Sequence, residues 1–174
     1  RDTLDGYRQA LKFIPFNANT PKVMALFEKM RKNKTILDAT LWVYNRQGRP
    51  ANELQHASKV TGLAHQAGVM IGAGTDGLNH DNGYVSNIHE ELALLTQAGL
   101  SPLEALKAAT IHNAIGLGQE NSIGTVEQGK VANLVVLGAD PLVDIANTRS
   151  VETVIKRGKP HVGYSSTWFN PQKK

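Results

Sequence analysis

The pattern of apolar residues predicts alternating helices and strands over the first 120 residues. A continuous apolar run predicts a strand at Val69–Ala73. A second strand is predicted at Thr35–Tyr44, which is rich in β-branched, aromatic and aliphatic residues and is interrupted by Asp38. Apolar positions repeated at helical spacing predict helices over residues 21–33, 52–66, 88–98 and 102–117. The helix at 52–66 joins the two strands through short connections. Such a βαβ unit predicts that the two strands pair in parallel.

Local signals mark where these helices begin and end. Thr20 followed by Pro21 is typical of an N-cap with proline in the first helical position. The segment Ser101–Glu104 has the form of a capping box. Gly68 and Gly99 follow two of the helical patterns and predict their C-terminal ends.

After residue 120 the pattern changes to short strands separated by turns. Strands are predicted at 123–126, 131–137 and 151–157, with a turn at 127–130. We therefore divide the chain into an α/β part, residues 1–120, and a small β segment, residues 121–174.

Asp76 is the first candidate for chemistry. The apolar run that begins at Val69 ends in small residues and this carboxylate. In α/β sheets and β/α barrels, ligands and metals bind at the carboxyl ends of the strands. An aspartate after a strand can equally cap a loop or a helix.

Composition narrows the chemistry and the partners. The chain has no cysteine, so a metal would be held by His, Asp or Glu. Its net charge is +4, but the basic residues are scattered, which favours solvated surfaces over nucleic-acid binding. No apolar run approaches the roughly 20 residues of a membrane span, and the first residues carry no basic-then-apolar signal pattern. We therefore expect a cytoplasmic protein that binds neither nucleic acid nor membrane.

Five motifs in a fixed order closely resemble the carboxyl-terminal part of the metal-dependent amidohydrolases, in particular their imidazolonepropionase-like and prolidase-like members. They lie at residues 74–76, 90–95, 98–106, 109–110 and 123–137. The resemblance implies a TIM (β/α)8 barrel whose eighth strand ends at Asp76, followed by part of a composite β-sandwich domain. It also implies that Asp76 contacts the metal and takes a proton from the metal-bound water. A divalent ion lowers the pKa of bound water towards about 7, which makes such a role physically sensible.

Much of the machinery of that family has no counterpart in this chain. The family has a His-x-His pair on the first barrel strand and further ligands on the fourth, fifth and sixth strands, and none can be placed here. A full barrel takes about 250 residues, whereas two or three of its eight repeats fit before residue 120. We therefore expect a carboxyl-terminal fragment of a longer enzyme, inactive alone. Its open strand edges would be covered by the missing N-terminal barrel half or by a second copy, giving a homo-oligomer.

The histidines are weaker candidates than Asp76. His80 and His89 follow Asp76 on the loop and helix start that should line the barrel mouth, so we consider substrate contact against ordinary capping or solvation. The remaining four are expected to be solvated, packed or at the surface: His56, His65, His112 and His161.

These observations lead to one main hypothesis and one alternative. The chain is expected to be part of an amidohydrolase that cleaves a carbon–nitrogen bond in a small cyclic amide or a dipeptide-like substrate. Zinc is the expected ion, one or two in a complete enzyme, because a sulfur-free set of ligands suits it. The alternative is a non-catalytic α/β module that self-associates through its sheet edges.

Overall fold

A computed structural model describes residues 19–46, 49–76 and 87–161. Within these ranges, six helices and a wide π turn surround a two-stranded sheet or follow it in the chain. They are, in chain order, α1 (Pro21–Lys32), β1 (Ile36–Asp38), α2 (Leu41–Tyr44), α3 (Ala51–Gln66), β2 (Met70–Gly72), α4 (Ile88–Gln97), α5 (Pro102–Lys107), the wide turn (Ala108–His112) and α6 (Asn113–Gly116). A 3-10 helix (Ile145–Arg149) then lies among β3 (Leu134–Leu137), β4 (Val151–Lys156) and β5 (Lys159–His161).

The predicted βαβ unit is confirmed. Strands β1 and β2 pair in parallel, with Ile36 opposite Met70 and Asp38 opposite Gly72. Helix α3 lies between them in the chain and ends at Gln66. Gly68 follows with a φ of +79°, in the left-handed region that glycine adopts without strain. The residues that the structure describes form two strands of this sheet and no closed barrel. The barrel prediction therefore holds only as far as a β/α repeat, because a closed barrel requires eight strands.

The prediction of one strand over Thr35–Tyr44 is wrong beyond Asp38. The chain turns at Thr40, which has a φ of +46°, and then forms the short helix α2. Leu41, Trp42 and Val43 are all buried on this helix. A run that is apolar on every side fits a short buried helix as well as a strand, so periodicity alone could not separate the two.

The helix signals are confirmed, apart from one irregularity. The Thr20 side chain accepts the N–H of Val23 at the start of α1, and Ser101 and Glu104 form the predicted capping box at the start of α5. The helix predicted over 102–117 is interrupted by the π turn at Ala108–His112 before it resumes as α6. The sequence patterns gave no sign of this wider turn.

The β segment contains an antiparallel sheet in the order β3-β4-β5. The strand predicted at 123–126 is wrong, because a loop closes there through the Val131 N–H to the Ser122 carbonyl, 2.9 Å apart. A Cβ on Gly124 would lie 2.8 Å from the Cβ of Ala114, so the loop packs directly on α6. Strand β5 and the 3-10 helix were not predicted. The boundary near residue 120 stays a prediction.

The core lies between the βαβ unit and the helices that follow it. Leu41, Ile71 and Leu95 are at most 1% exposed, and Ile145 of the 3-10 helix joins the same cluster. Burying such a side chain stabilises the fold by about 1.5–3 kcal/mol. No helix within 19–46, 49–76 or 87–161 is both long and apolar enough to cross a bilayer.

Candidate active site at the carboxyl ends of the strands

Asp76 lies four residues after the last residue of β2, at the end of the sheet where both parallel strands have their carboxyl ends. Its side chain is exposed and its φ is +42°. The left-handed region is uncommon for residues other than glycine, although aspartate tolerates it better than most. The backbone is thus held in an uncommon conformation at the residue that the sequence singles out.

Asp38 ends β1 and lies beside the last residues of the β2 segment. A Cβ on Gly74 would lie 2.6 Å from both carboxylate oxygens of Asp38. A side chain at position 74 would therefore require the Asp38 carboxylate to move, whereas glycine leaves it in place. The two strands therefore present Asp38 and Asp76 at the same end of the sheet. Sequence reasoning treated Asp38 only as an interruption of a strand.

Glu91 supports this end of the sheet from helix α4. Its side chain is fully buried, and its two carboxylate oxygens accept the N–H groups of Leu41 and Trp42 at 2.9 and 2.6 Å. These are N-terminal groups of α2, which the Thr40 side chain does not cap. Burial raises the pKa of the Glu91 carboxyl, and the two N–H bonds partly offset that rise.

His89, a candidate for substrate contact, instead packs towards the β segment. Its Nδ1 lies 3.0 Å from the Thr148 hydroxyl, and that hydroxyl donates to the Ile145 carbonyl at 2.8 Å. The hydroxyl oxygen must then accept the Nδ1–H of His89, which fixes that proton on Nδ1. Burial lowers the pKa of His89, and the nearby Arg149 guanidinium lowers it further. Substrate contact by His89 stays a prediction.

We expect the lowered pKa of His89 to appear as a loss of stability in mild acid. The unfolded chain binds a proton near the ordinary pKa of 6.5 more readily than the folded chain does. The stability contributed by neutral His89 is therefore present above pH 6.5 and is lost as the pH falls below it. Urea unfolding of the parent and His89→Gln between pH 7.5 and about 5.5 would measure this.

The matched control is His56→Gln, since His56 is exposed on α3. The pH dependence of its unfolding free energy should follow that of the parent. An identical slope for the parent and His89→Gln would contradict the prediction.

The other histidines serve packing or surface contacts. His65 approaches the Glu104 carboxylate, with Nε2 3.3 Å from Oε1. His56 and His161 are exposed. His112 is half-buried, and its Nδ1 lies 2.9 Å from the Ile71 carbonyl. His80 lies outside the described residues.

The described residues do not by themselves make up a metal centre. Within those ranges, no three His, Cys, Asp or Glu side chains are grouped so that they could hold an ion. A catalytic zinc usually has three protein ligands, and Asp76 would supply one carboxylate.

Comparison with known proteins gives one consistent result. Residues 21–160 match the family model described as "Amidohydrolase family". An imidazolonepropionase of Geobacillus kaustophilus is 39% identical over 64 residues, which cover 35% of this chain and 15% of that protein. A 5-methylthioadenosine/S-adenosylhomocysteine deaminase of Moorella thermoacetica is 31% identical over 131 residues, covering 63% of this chain and 31% of that protein.

A comparison of folds agrees with the sequence comparison. The crystal structure of a Xaa-Pro dipeptidase with methionine bound in its active site has a TM-score of 0.67 and 25% identity, covering 83% of this chain and 38% of that one. The chain thus spans less than a third of the two curated relatives.

Proposed function

Because the chain belongs to the amidohydrolase family, we propose that it contributes the last β/α repeats of a hydrolase acting on a carbon–nitrogen bond. The proposed substrate is a small cyclic amide or a dipeptide-like molecule. The observation that carries the proposal is the place of Asp76, exposed at the carboxyl end of a strand in a family that builds its chemistry there. Names of the relatives, an imidazolonepropionase and a Xaa-Pro dipeptidase, support this substrate class.

In the proposed reaction Asp76 moves a proton. Its carboxylate accepts a proton from the attacking water and passes it to the leaving nitrogen, so that the carbon–nitrogen bond breaks to an amine. The exposed side chain of Asp76 at the end of a strand is open to a substrate that binds there. Asp38, on the neighbouring strand, keeps this end of the sheet negatively charged.

A divalent metal, zinc by preference, is part of the proposal. Asp76 would be one of its ligands, and the others would come from barrel strands other than β1 and β2. When bound, such an ion polarises the carbonyl and makes water a nucleophile at neutral pH.

The proposed function can be tested in a hybrid enzyme. In the hybrid, residues 21–160 replace the structurally matching segment of the Xaa-Pro dipeptidase. We expect metal-dependent hydrolysis of Xaa-Pro dipeptides or of cyclic amides. A folded hybrid that binds metal but hydrolyses neither class would contradict the proposal.

The 174-residue chain alone is expected to bind no metal tightly and to hydrolyse no substrate. Asp76 provides one ligand where a catalytic zinc usually has three. Metal analysis after dialysis against zinc, with the hybrid as the positive control, would measure this. Near-stoichiometric zinc in a monomeric sample of the chain would contradict it.

Self-association through the sheet edges, the alternative, stays a prediction. Strand β2 is bonded to β1 on one side, and the wide turn contacts it as well. Those contacts leave less of its edge open to a second copy.

A further inference from the structure

The wide turn and the first residue of α6 make three hydrogen bonds to the end of β2. The Ala108 carbonyl accepts the Ala73 N–H at 3.2 Å. His112 Nδ1 lies 2.9 Å from the Ile71 carbonyl, which can only accept, so the imidazole donates. Asn113 Nδ2 donates to the Ala73 carbonyl at 3.0 Å. The side chains of His112 and Asn113 and the Ala108 carbonyl therefore bind the backbone of two residues, Ile71 and Ala73.

These bonds supplement those that β2 makes with β1. The Gly72 carbonyl accepts the N–H of Ala39, next to β1. Successive carbonyls of a strand point to opposite sides, so the carbonyls of Ile71 and Ala73 point away from β1. Among the described residues, the wide turn and Asn113 thus provide the partners of these polar groups of the strand segment.

The sequence of β2 accommodates this contact closely. A Cβ on Gly72 would lie 2.8 Å from the Asn113 side-chain oxygen, so the small residue lets Asn113 approach. A π turn is wider than an α-helical turn and is found frequently at functional sites. The wide turn follows β2 in the chain by 35 residues or more, so the contact is tertiary and not a local cap.

We propose that His112 and Asn113 are positioning residues for Asp76. They fix the carbonyls of Ile71 and Ala73, the latter three residues before Asp76, and so set where its carboxylate lies relative to the substrate. The role rests on the proposed function. In catalysis a misplacement of about 1 Å can lower a rate by a factor on the order of 100.

The kinetic test uses the hybrid enzyme. His112→Ala and Asn113→Ala are each expected to lower kcat by about tenfold or more, with KM changed by less than about twofold, because substrate still binds but the carboxylate is displaced. His112→Asn should recover most of kcat, since its Nδ2 lies as many bonds from the backbone as the histidine Nδ1. Thr110→Ala is the matched control. This exposed side chain lies on the same wide turn but donates its hydroxyl proton to the Leu106 carbonyl and not to β2, so the substitution should leave kcat unchanged.

Amide hydrogen exchange on the 174-residue chain itself, outside the hybrid, tests the contact separately. The Ala73 amide proton should exchange about tenfold faster in His112→Ala and Asn113→Ala, while Leu95 in the core keeps its protection. Unchanged exchange at Ala73 would overturn the proposal. So would an active hybrid whose two alanine variants keep the parent kcat, or a His112→Asn variant as slow as His112→Ala. An inactive but folded and metal-loaded parent hybrid would instead overturn the proposed function, and this role with it.

Discussion

Replacing Asp76 by asparagine is expected to lower kcat of the hybrid enzyme by a factor on the order of 100, the usual scale for loss of a general base. The amide has nearly the shape of the carboxylate but cannot accept the proton. Because the side chain is exposed, the substitution should leave the free energy of unfolding almost unchanged. Steady-state kinetics and urea unfolding on the same preparations would measure both quantities.

Asp38→Asn is the matched comparison for Asp76→Asn. It removes one negative charge from the same end of the sheet, on the neighbouring strand. If proton transfer belongs to Asp76, the loss in Asp38→Asn should be much smaller. Turnover of Asp76→Asn within a few-fold of the parent would show that Asp76 has a structural role only.

The position of Asp76 could be predicted from the sequence because the information is local. A buried strand reads as an unbroken apolar run, and the run from Val69 ends just before the aspartate. Parallel pairing of β1 and β2 followed from the helix between them. Further ligands for the proposed metal could not be predicted, since the resemblance assigns them to strands with no counterpart in this sequence.

The turn after β1 could not be predicted because its cause is distant in the chain. Residues 39–44 have a strand-like composition, but Glu91, about 50 residues later, bonds the first N–H groups of α2. One signal was available. Glu91 lies between Ile88 and Leu95 on the apolar face of α4, and a charged residue in that position is rarely buried without a partner.

The wide turn at Ala108–His112 was equally hidden from sequence reasoning. Its residues continue a helical pattern from the capping box onwards, and a π turn has no propensity signature of its own. What distinguishes it is the strand that it contacts. The place of His112 against Ile71 is therefore a tertiary property, which the apolar pattern along the chain does not indicate.

Replacing Glu91 by alanine is expected to lower the free energy of unfolding of the chain by about 3 kcal/mol or more. The change leaves the buried N–H groups of Leu41 and Trp42 without their acceptor, and each such group costs about 1–3 kcal/mol. The cavity left by a fully buried side chain adds to this loss. Urea unfolding, monitored by tryptophan fluorescence, would measure it.

The pH dependence of the same experiment identifies the cause. Burial holds the pKa of Glu91 above its ordinary value of 4.5, so the folded chain binds that proton more tightly than the unfolded chain does. The contribution of Glu91 to stability must therefore decrease as the pH rises from 4.5 through the raised pKa. In Glu91→Gln that dependence disappears, while one side-chain oxygen still accepts an N–H, so its stability at neutral pH should lie between those of the parent and Glu91→Ala. A Glu91→Ala protein within about 1 kcal/mol of the parent at neutral pH would mean that α2 forms without this cap.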